Sequence, residues 1–169
     1  GIIRNHYVGR TFIEPTQHIR SLGVKLKHSI NKTLIKNKSL ILIDDSLVRG
    51  TTSVKIIKML YEFGAKEVHL RIASPPVKYP DYYGVDTPTE EELLASKLDL
   101  EGMRKFINAT TLQFLSIEGL YKSMGIEKRN SSYPQFTDHC FTGEYPVEPI
   151  DANDKNLKDD QLSFLSSKF

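Results

Sequence analysis

Apolar and polar positions fall into a few clear periods along the chain. Ser39–Ile43 is a short apolar, β-branched run that meets Asp44-Asp45, and it predicts a buried strand. Gly50 to Ser53 lead into Val54–Phe63, where Ile56, Ile57, Leu60, Tyr61 and Phe63 recur at helical spacing and Gly64 provides the stop. Val68–Ile72 alternates as a second strand. Strand, helix and strand at these lengths make a βαβ unit, which implies parallel strands and a right-handed crossover.

The pattern is weaker on either side. Val24–Ile30 is a candidate further strand, and residues 1–23 are irregular, with Gly9, Pro15 and Gly23 among them. Ser74 to Asp86 reads as a long proline- and tyrosine-rich loop. A helix is then predicted from Thr87, which forms a capping box with Glu90, with Pro88 in the first turn and acids at the positive end. Leu100–Ile107 and Ile117–Met124 read as helices, with a short strand at Leu112–Leu115 between them. Beyond Glu127 the chain is polar and aperiodic, and Asp151 to Lys168 reads as a loosely attached tail.

A length of 169 residues, 39% hydrophobic and 26% charged, suits one compact domain with a real core. No stretch approaches the roughly 18 consecutive apolar residues of a membrane span, and Gly1–His6 has no signal-peptide core. The net charge of +2 gives no argument for nucleic acid or membrane as a partner. Its distribution is more informative. Residues 1–43 hold eight basic side chains against Glu14 alone, while residues 86–101 hold six acids against Lys97. The basic segment is either a solvated face or an anion site. Cys140 is the single cysteine; it permits no internal disulfide and fits a reducing cytosol.

The chemistry concentrates in Ile41-Leu42-Ile43-Asp44-Asp45-Ser46-Leu47-Val48-Arg49-Gly50-Thr51-Thr52-Ser53. Ligands of open α/β sheets bind off the carboxyl ends of strands, where Asp44 and Asp45 fall. The loop that follows runs into a helix N-terminus, so backbone N–H groups and the hydroxyls of Thr51, Thr52 and Ser53 can wrap a phosphate. Gly50 allows close backbone approach. Adjacent carboxylates can accept from vicinal hydroxyls and hold Mg²⁺ through water. Together these parts describe a site for a ribose 5-phosphate. An isolated Asp-Asp pair would more simply cap a turn; the whole run carries the argument. Neither a Walker loop nor a Gly-x-Gly-x-x-Gly motif is present.

This segment resembles the phosphoribosylpyrophosphate (PRPP) motif of the type I phosphoribosyltransferases, in the version found in the amidophosphoribosyltransferase family. Three further segments support the narrower match: Arg4-Asn5-His6-Tyr7-Val8-Gly9-Arg10-Thr11-Phe12-Ile13; Ser74-Pro75-Pro76-Val77-Lys78-Tyr79-Pro80 with Tyr83-Gly84-Val85-Asp86; and Cys140-Phe141-Thr142-Gly143-Glu144-Tyr145-Pro146. The resemblance implies an α/β fold with a type I phosphoribosyltransferase-like parallel sheet flanked by helices, incomplete at its N-terminus. It places the C-terminal part of that domain at residues 1–146, with a flexible loop at 3–13 and the PRPP motif at 41–53. Residues 147–169 are left as a polar tail.

The implied reaction is attack of ammonia, drawn from glutamine, on C1 of PRPP. It gives 5-phosphoribosylamine and pyrophosphate, the first step of purine synthesis. In that scheme Asp44 and Asp45 hold the ribose hydroxyls and the Mg²⁺ shell, and Ser46, Arg49, Gly50, Thr51, Thr52 and Ser53 bind the 5-phosphate. Arg4, Tyr7, Arg10 and Thr11 meet pyrophosphate from the closing loop, and Phe12 and Ile13 line an ammonia passage. Such catalysis needs electrostatic stabilisation and water exclusion more than a protein nucleophile. The resemblance further implies an N-terminal glutaminase half, in the same or a separate chain, a homo-oligomer, and a cytoplasmic location. Some members of the family bind an iron–sulfur cluster; Pro134 and Thr137 stand where two of its cysteines would be, so no cluster is expected and Cys140 reads as a small packed residue. The five histidines show no metal-ligand spacing and read as structural or surface groups. His6 stands where relatives are expected to carry Arg, leaving one fewer permanent charge in the loop. The start at Gly1, with no early cysteine nucleophile, leads to the expectation that the chain is the C-terminal portion of the enzyme. Another type I phosphoribosyltransferase, a PRPP-binding module without catalysis and one half of a split enzyme remain as alternatives.

Overall fold

The structure, a computed structural model, describes residues 2–4, 28–84, 87 and 89–147. Tyr7, Arg10, Thr11, Phe12 and Ile13 of the anticipated loop, the first part of the Val24–Ile30 strand and the tail beyond Val147 lie outside the described residues. Strand β1 (Ile2–Arg4) pairs antiparallel with β2 (His28–Ile30), Ile2 opposite Ile30. Of the loop expected at 3–13, Ile3 and Arg4 are strand residues. Helix α1 (Lys32–Ile35) follows, with the Asn31 side chain accepting from the Thr33 N–H at 3.1 Å.

The central unit is β3 (Ser39–Asp44), α2 (Thr51–Glu62) and β4 (Glu67–Ile72), with β3 and β4 parallel. A 3₁₀ turn (Glu90–Glu92) and α3 (Leu94–Lys97) come next, then α4 (Leu100–Ile107), β5 (Thr111–Phe114), α5 (Ile117–Ser123) and α6 (His139–Thr142). The sheet order is β3-β4-β5, all parallel. In register, Asp44 lies opposite Ile72 and Ile72 opposite Phe114, so all three strands end on the same side.

One face of this sheet makes the core. Val68, Leu70 and Ile72 of β4 pack with Ile56, Ile57 and Leu60 of α2, Met103 and Ile107 of α4, and Leu112 of β5. Burying one such side chain contributes about 1.5–3 kcal/mol. The other face differs from the sequence reading. β3 was expected to be buried, yet Ile41 and Ile43 are 70% and 72% exposed. The side-chain period of two sends them to the face opposite the helices, on a strand at the sheet edge. Parallel strands ordinarily have both faces covered.

A second correction concerns Thr87. No capping box forms: the 3₁₀ turn starts at Glu90 behind Thr89, and the Thr87 hydroxyl accepts from the Asp81 N–H at 2.6 Å. The α-helical segment begins only at Leu94. The helix at 100–107 matches its prediction and is capped at both ends. Asp99 accepts from the Gly102 N–H at 2.7 Å, and Asn108 closes it in the left-handed conformation.

Candidate functional site

Asp44 ends β3 and the loop 45–50 carries the chain to α2. The Asp44 carboxylate accepts from the Asp45 N–H at 3.1 Å, and the Asp45 carboxylate accepts from the Ser46 hydroxyl at 3.1 Å. Each carboxylate is thereby oriented by the residue after it, a local preference of Asp in turns. Asp44 is half-buried and Asp45 exposed, so the pair faces solvent at the carboxyl end of the sheet. Leu47, 2% exposed, anchors the loop to the core.

Gly50 sits at the N-cap of α2 with φ 73° and provides no side-chain cap. The first amides of a helix have no intrahelical acceptor, so those of Thr51, Thr52 and Ser53 are donors at the positive end of a twelve-residue helix. Thr51 and Thr52 are exposed. Ser53 is 3% exposed, which makes its backbone N–H the group it can offer an anion. The sequence reading assigned Gly50 to close approach of a ligand, but the structure supplies other reasons for it. Its φ is left-handed, and a Cβ there would meet Leu94 Cδ2 at 2.9 Å and Phe106 Cε1 at 3.3 Å.

Sequence reasoning missed the loop's neighbour. Arg49 donates to Glu92 Oε2 through Nη2 at 2.6 Å and Nε at 3.3 Å, and the Leu94 N–H donates to the Val48 carbonyl at 2.9 Å. The 90–94 segment thus braces the loop. Glu92 had read only as part of an acidic, solvated helix start.

A second polar centre lies among residues 79–83 and 121–145. Tyr121 Oη donates to Asp138 Oδ2 at 2.8 Å, and Arg129 Nη2 donates to Asp138 Oδ1 at 3.0 Å and to Glu144 Oε2 at 2.6 Å. Burial would raise the Asp138 carboxyl, but Arg129 and Tyr121 outweigh it and hold the group below the usual carboxylate range. Beside it, His139 Nε2 lies 2.9 Å from Asp81 Oδ2, and Cys140 Sγ 3.7 Å from the same oxygen. Burial, with the Asp81 charge adding to it, pushes the Cys140 thiol up to about 11. No periodic signal marks these contacts along the chain, since they join segments 58 and 59 residues apart.

Among the sequence-derived candidates, Asp44, Asp45, Ser46, Arg49, Gly50, Thr51, Thr52 and Ser53 are thus gathered around one strand end and one helix start. Arg4 lies in β1.

Comparison with known proteins gives one answer. An amidophosphoribosyltransferase of Rhizobium etli is 58% identical over 168 residues, 99% of this chain and 34% of the relative. That of Bacillus subtilis is 50% identical over 148 residues, 88% of this chain and 31% of the relative. A solved structure, the glutamine PRPP amidotransferase of B. subtilis in complex with ADP and GMP, superposes with a TM-score of 0.72 at 50% identity, covering 88% of this chain and 32% of that one. No family model matches. The chain spans about a third of the length of these relatives. The resemblance read from the motifs thus holds across nearly the whole sequence, and the fold is the α/β, type I phosphoribosyltransferase-like arrangement of these neighbours.

Proposed function

We propose that this chain carries the PRPP site of an amidophosphoribosyltransferase. It would serve transfer of glutamine-derived ammonia to C1 of PRPP, giving 5-phosphoribosylamine and pyrophosphate at the entry to purine synthesis. One observation carries the reading: two adjacent, solvent-facing carboxylates and an uncapped helix N-terminus flank a single loop at the carboxyl end of a parallel sheet. The 50–58% identity with relatives of that name supports it.

In this scheme Asp44 and Asp45 accept hydrogen bonds from the vicinal ribose hydroxyls. The amides of Thr51, Thr52 and Ser53, the Thr51, Thr52 and Ser46 hydroxyls, and Arg49 hold the 5-phosphate, with Gly50 shaping the turn. Carboxylate oxygens such as those of half-buried Asp44 and exposed Asp45 fit Mg²⁺ bound through water. Bound there with PRPP, Mg²⁺ would neutralise charge on the departing pyrophosphate. Arg4, Tyr7, Arg10 and Thr11 are assigned to the pyrophosphate, and Phe12 and Ile13 to an apolar passage that keeps water from C1. The new C–N bond forms as the C–O bond breaks; pyrophosphate takes the bonding pair, and the attacking nitrogen loses a proton to solvent. The scheme includes a glutaminase half in the same or a separate chain, a homo-oligomer and a cytoplasmic setting. Among the described residues no helix is long and apolar enough to cross a membrane.

Calorimetry of Mg²⁺-PRPP binding tests the site. The combined Asp44→Asn, Asp45→Asn variant is expected to lose binding and keep its circular dichroism spectrum. Undiminished binding would overturn the assignment.

A second reading, PRPP binding without turnover by this chain alone, is favoured by the bare sheet face at Ile41 and Ile43. Pyrophosphate release on addition of ammonia separates the two, since a binding module releases none.

A further inference from the structure

Away from the loop after β3, three unlike donors converge. One carboxylate oxygen of Asp81, one ring nitrogen of His139 and the Cys140 sulfur all lie within 4.8 Å of one another. We propose that Asp81, His139 and Cys140 form a binding site for a single Zn²⁺ ion, joining the loop after β4 to the segment around α6.

The separations suit such an ion. A tetrahedral Zn²⁺ with bonds of about 2.0–2.3 Å places its donors about 3.3–3.8 Å apart. Oδ2 and Sγ are already 3.7 Å apart, and Oδ2 and Nε2, now 2.9 Å apart, need only to separate slightly. The site is enclosed, with the His139 and Asp81 side chains 4% and 7% exposed. Tyr83 and Tyr145 lie against the imidazole, with ring centroids 5.0 and 5.1 Å away.

The donors are also held in place by their surroundings, as ligands of metal sites are. Asp81 Oδ1 accepts from the Tyr83 N–H at 2.6 Å, which leaves Oδ2 turned toward His139 and Cys140. The Cys140 carbonyl accepts from both Lys78 N–H and Tyr79 N–H, at 2.9 and 3.1 Å, so the His-Cys backbone is fixed against the loop segment leading to Asp81. Gly143 then turns away at φ +78°, where a Cβ would strike the Tyr79 ring at 2.9 Å.

Hydrogen bonding accounts for only half of the buried imidazole. His139 Nδ1 is the one buried side-chain polar atom among the described residues with no partner. A buried group left in that state is destabilising. Only the contact with Asp81 has to lengthen for Nε2 to meet a metal, because no second hydrogen bond holds the ring.

Mixed nitrogen, oxygen and sulfur donors favour Zn²⁺ over Mg²⁺ or Ca²⁺, which take oxygen ligands. Binding exchanges the Cys140 thiol proton for the metal and releases it to solvent, and water completes the coordination.

Co²⁺ serves as an optical stand-in for Zn²⁺. Titrating the reduced 169-residue chain with Co²⁺ is expected to give a near-ultraviolet thiolate-to-cobalt charge-transfer band, saturating at one ion per chain and bleached by one equivalent of Zn²⁺. Cys140→Ser should remove the band, and Asp81→Asn should weaken Zn²⁺ binding at least about tenfold. The Asp44→Asn, Asp45→Asn chain should bind as the parent does, which separates this site from the PRPP carboxylates. If a variant fails to fold by circular dichroism, the spectrum of the parent chain decides. Absence of the band in the parent, or equal Zn²⁺ affinity in folded Cys140→Ser and parent chains, would overturn the proposal and leave a metal-free hydrogen-bonded lock.

Discussion

The Arg49 guanidinium reaches Glu92 across 43 positions of sequence, Nη2 to Oε2 at 2.6 Å, and ties the loop after β3 to the 3₁₀ turn before α3. The side chains are 38% and 53% exposed, so the pair itself contributes less than about 1 kcal/mol to stability. Its value lies in position, because it holds a cation beside the start of α2. Glu92→Gln is therefore expected to leave the midpoint of urea unfolding almost unchanged. Arg49→Gln should weaken Mg²⁺-PRPP binding by about 1.5–3 kcal/mol, the range for a hydrogen bond to a charged group. Urea unfolding checks the first and calorimetry the second, and unchanged PRPP affinity in Arg49→Gln would remove Arg49 from the phosphate site.

Gly50 meets two demands at once, and a comparison of glycines separates them. Gly125 also has a positive φ, +80°, but a Cβ there meets nothing within 4 Å. Gly125→Ala should cost about 1–2 kcal/mol, the backbone term alone. Gly50→Ala adds the contact with Leu94 Cδ2 at 2.9 Å, and should cost about 1–3 kcal/mol more. Equal losses in chemical denaturation would show that Leu94 yields freely.

Asp138 is 4% exposed and is neutralised chiefly by Arg129. Arg129→Met would strand its charge and is expected to cost about 3–5 kcal/mol. Tyr121→Phe removes one donor and should cost about 1–3 kcal/mol. If denaturant midpoints put Tyr121→Phe below Arg129→Met in stability, the order of these contributions is reversed.

Ile41 and Ile43 stand on the open face of the edge strand β3. Such a surface promotes association. The parent chain is expected to associate with rising concentration in sedimentation velocity, and Ile41→Thr with Ile43→Thr should suppress this while changing stability by no more than about 0.5 kcal/mol per site. Identical sedimentation of the two chains would mean that this face is not adhesive.

Local pattern located nearly every element of the central unit. Ile56, Ile57 and Leu60 at helical spacing located α2, and the alternation through Val68 and Leu70 located β4, because each signal is contained within a few residues. The run from Asp44 to Ser53 likewise names the candidate site, since its carboxylates and helix amides are neighbours in sequence.

Tertiary structure decided what adjacency cannot encode. A run such as Leu40 to Ile43 reads the same whether one face of its sheet is covered or both, and only the packed structure leaves Ile41 and Ile43 bare. Thr87 had the chemistry of a cap, but the Asp81 N–H claimed its hydroxyl first. The partnerships of Arg49 with Glu92 and of Asp81 with His139 and Cys140 span 43 to 59 positions. The energy of such contacts depends on distance in space, and folding of the intervening chain sets that distance.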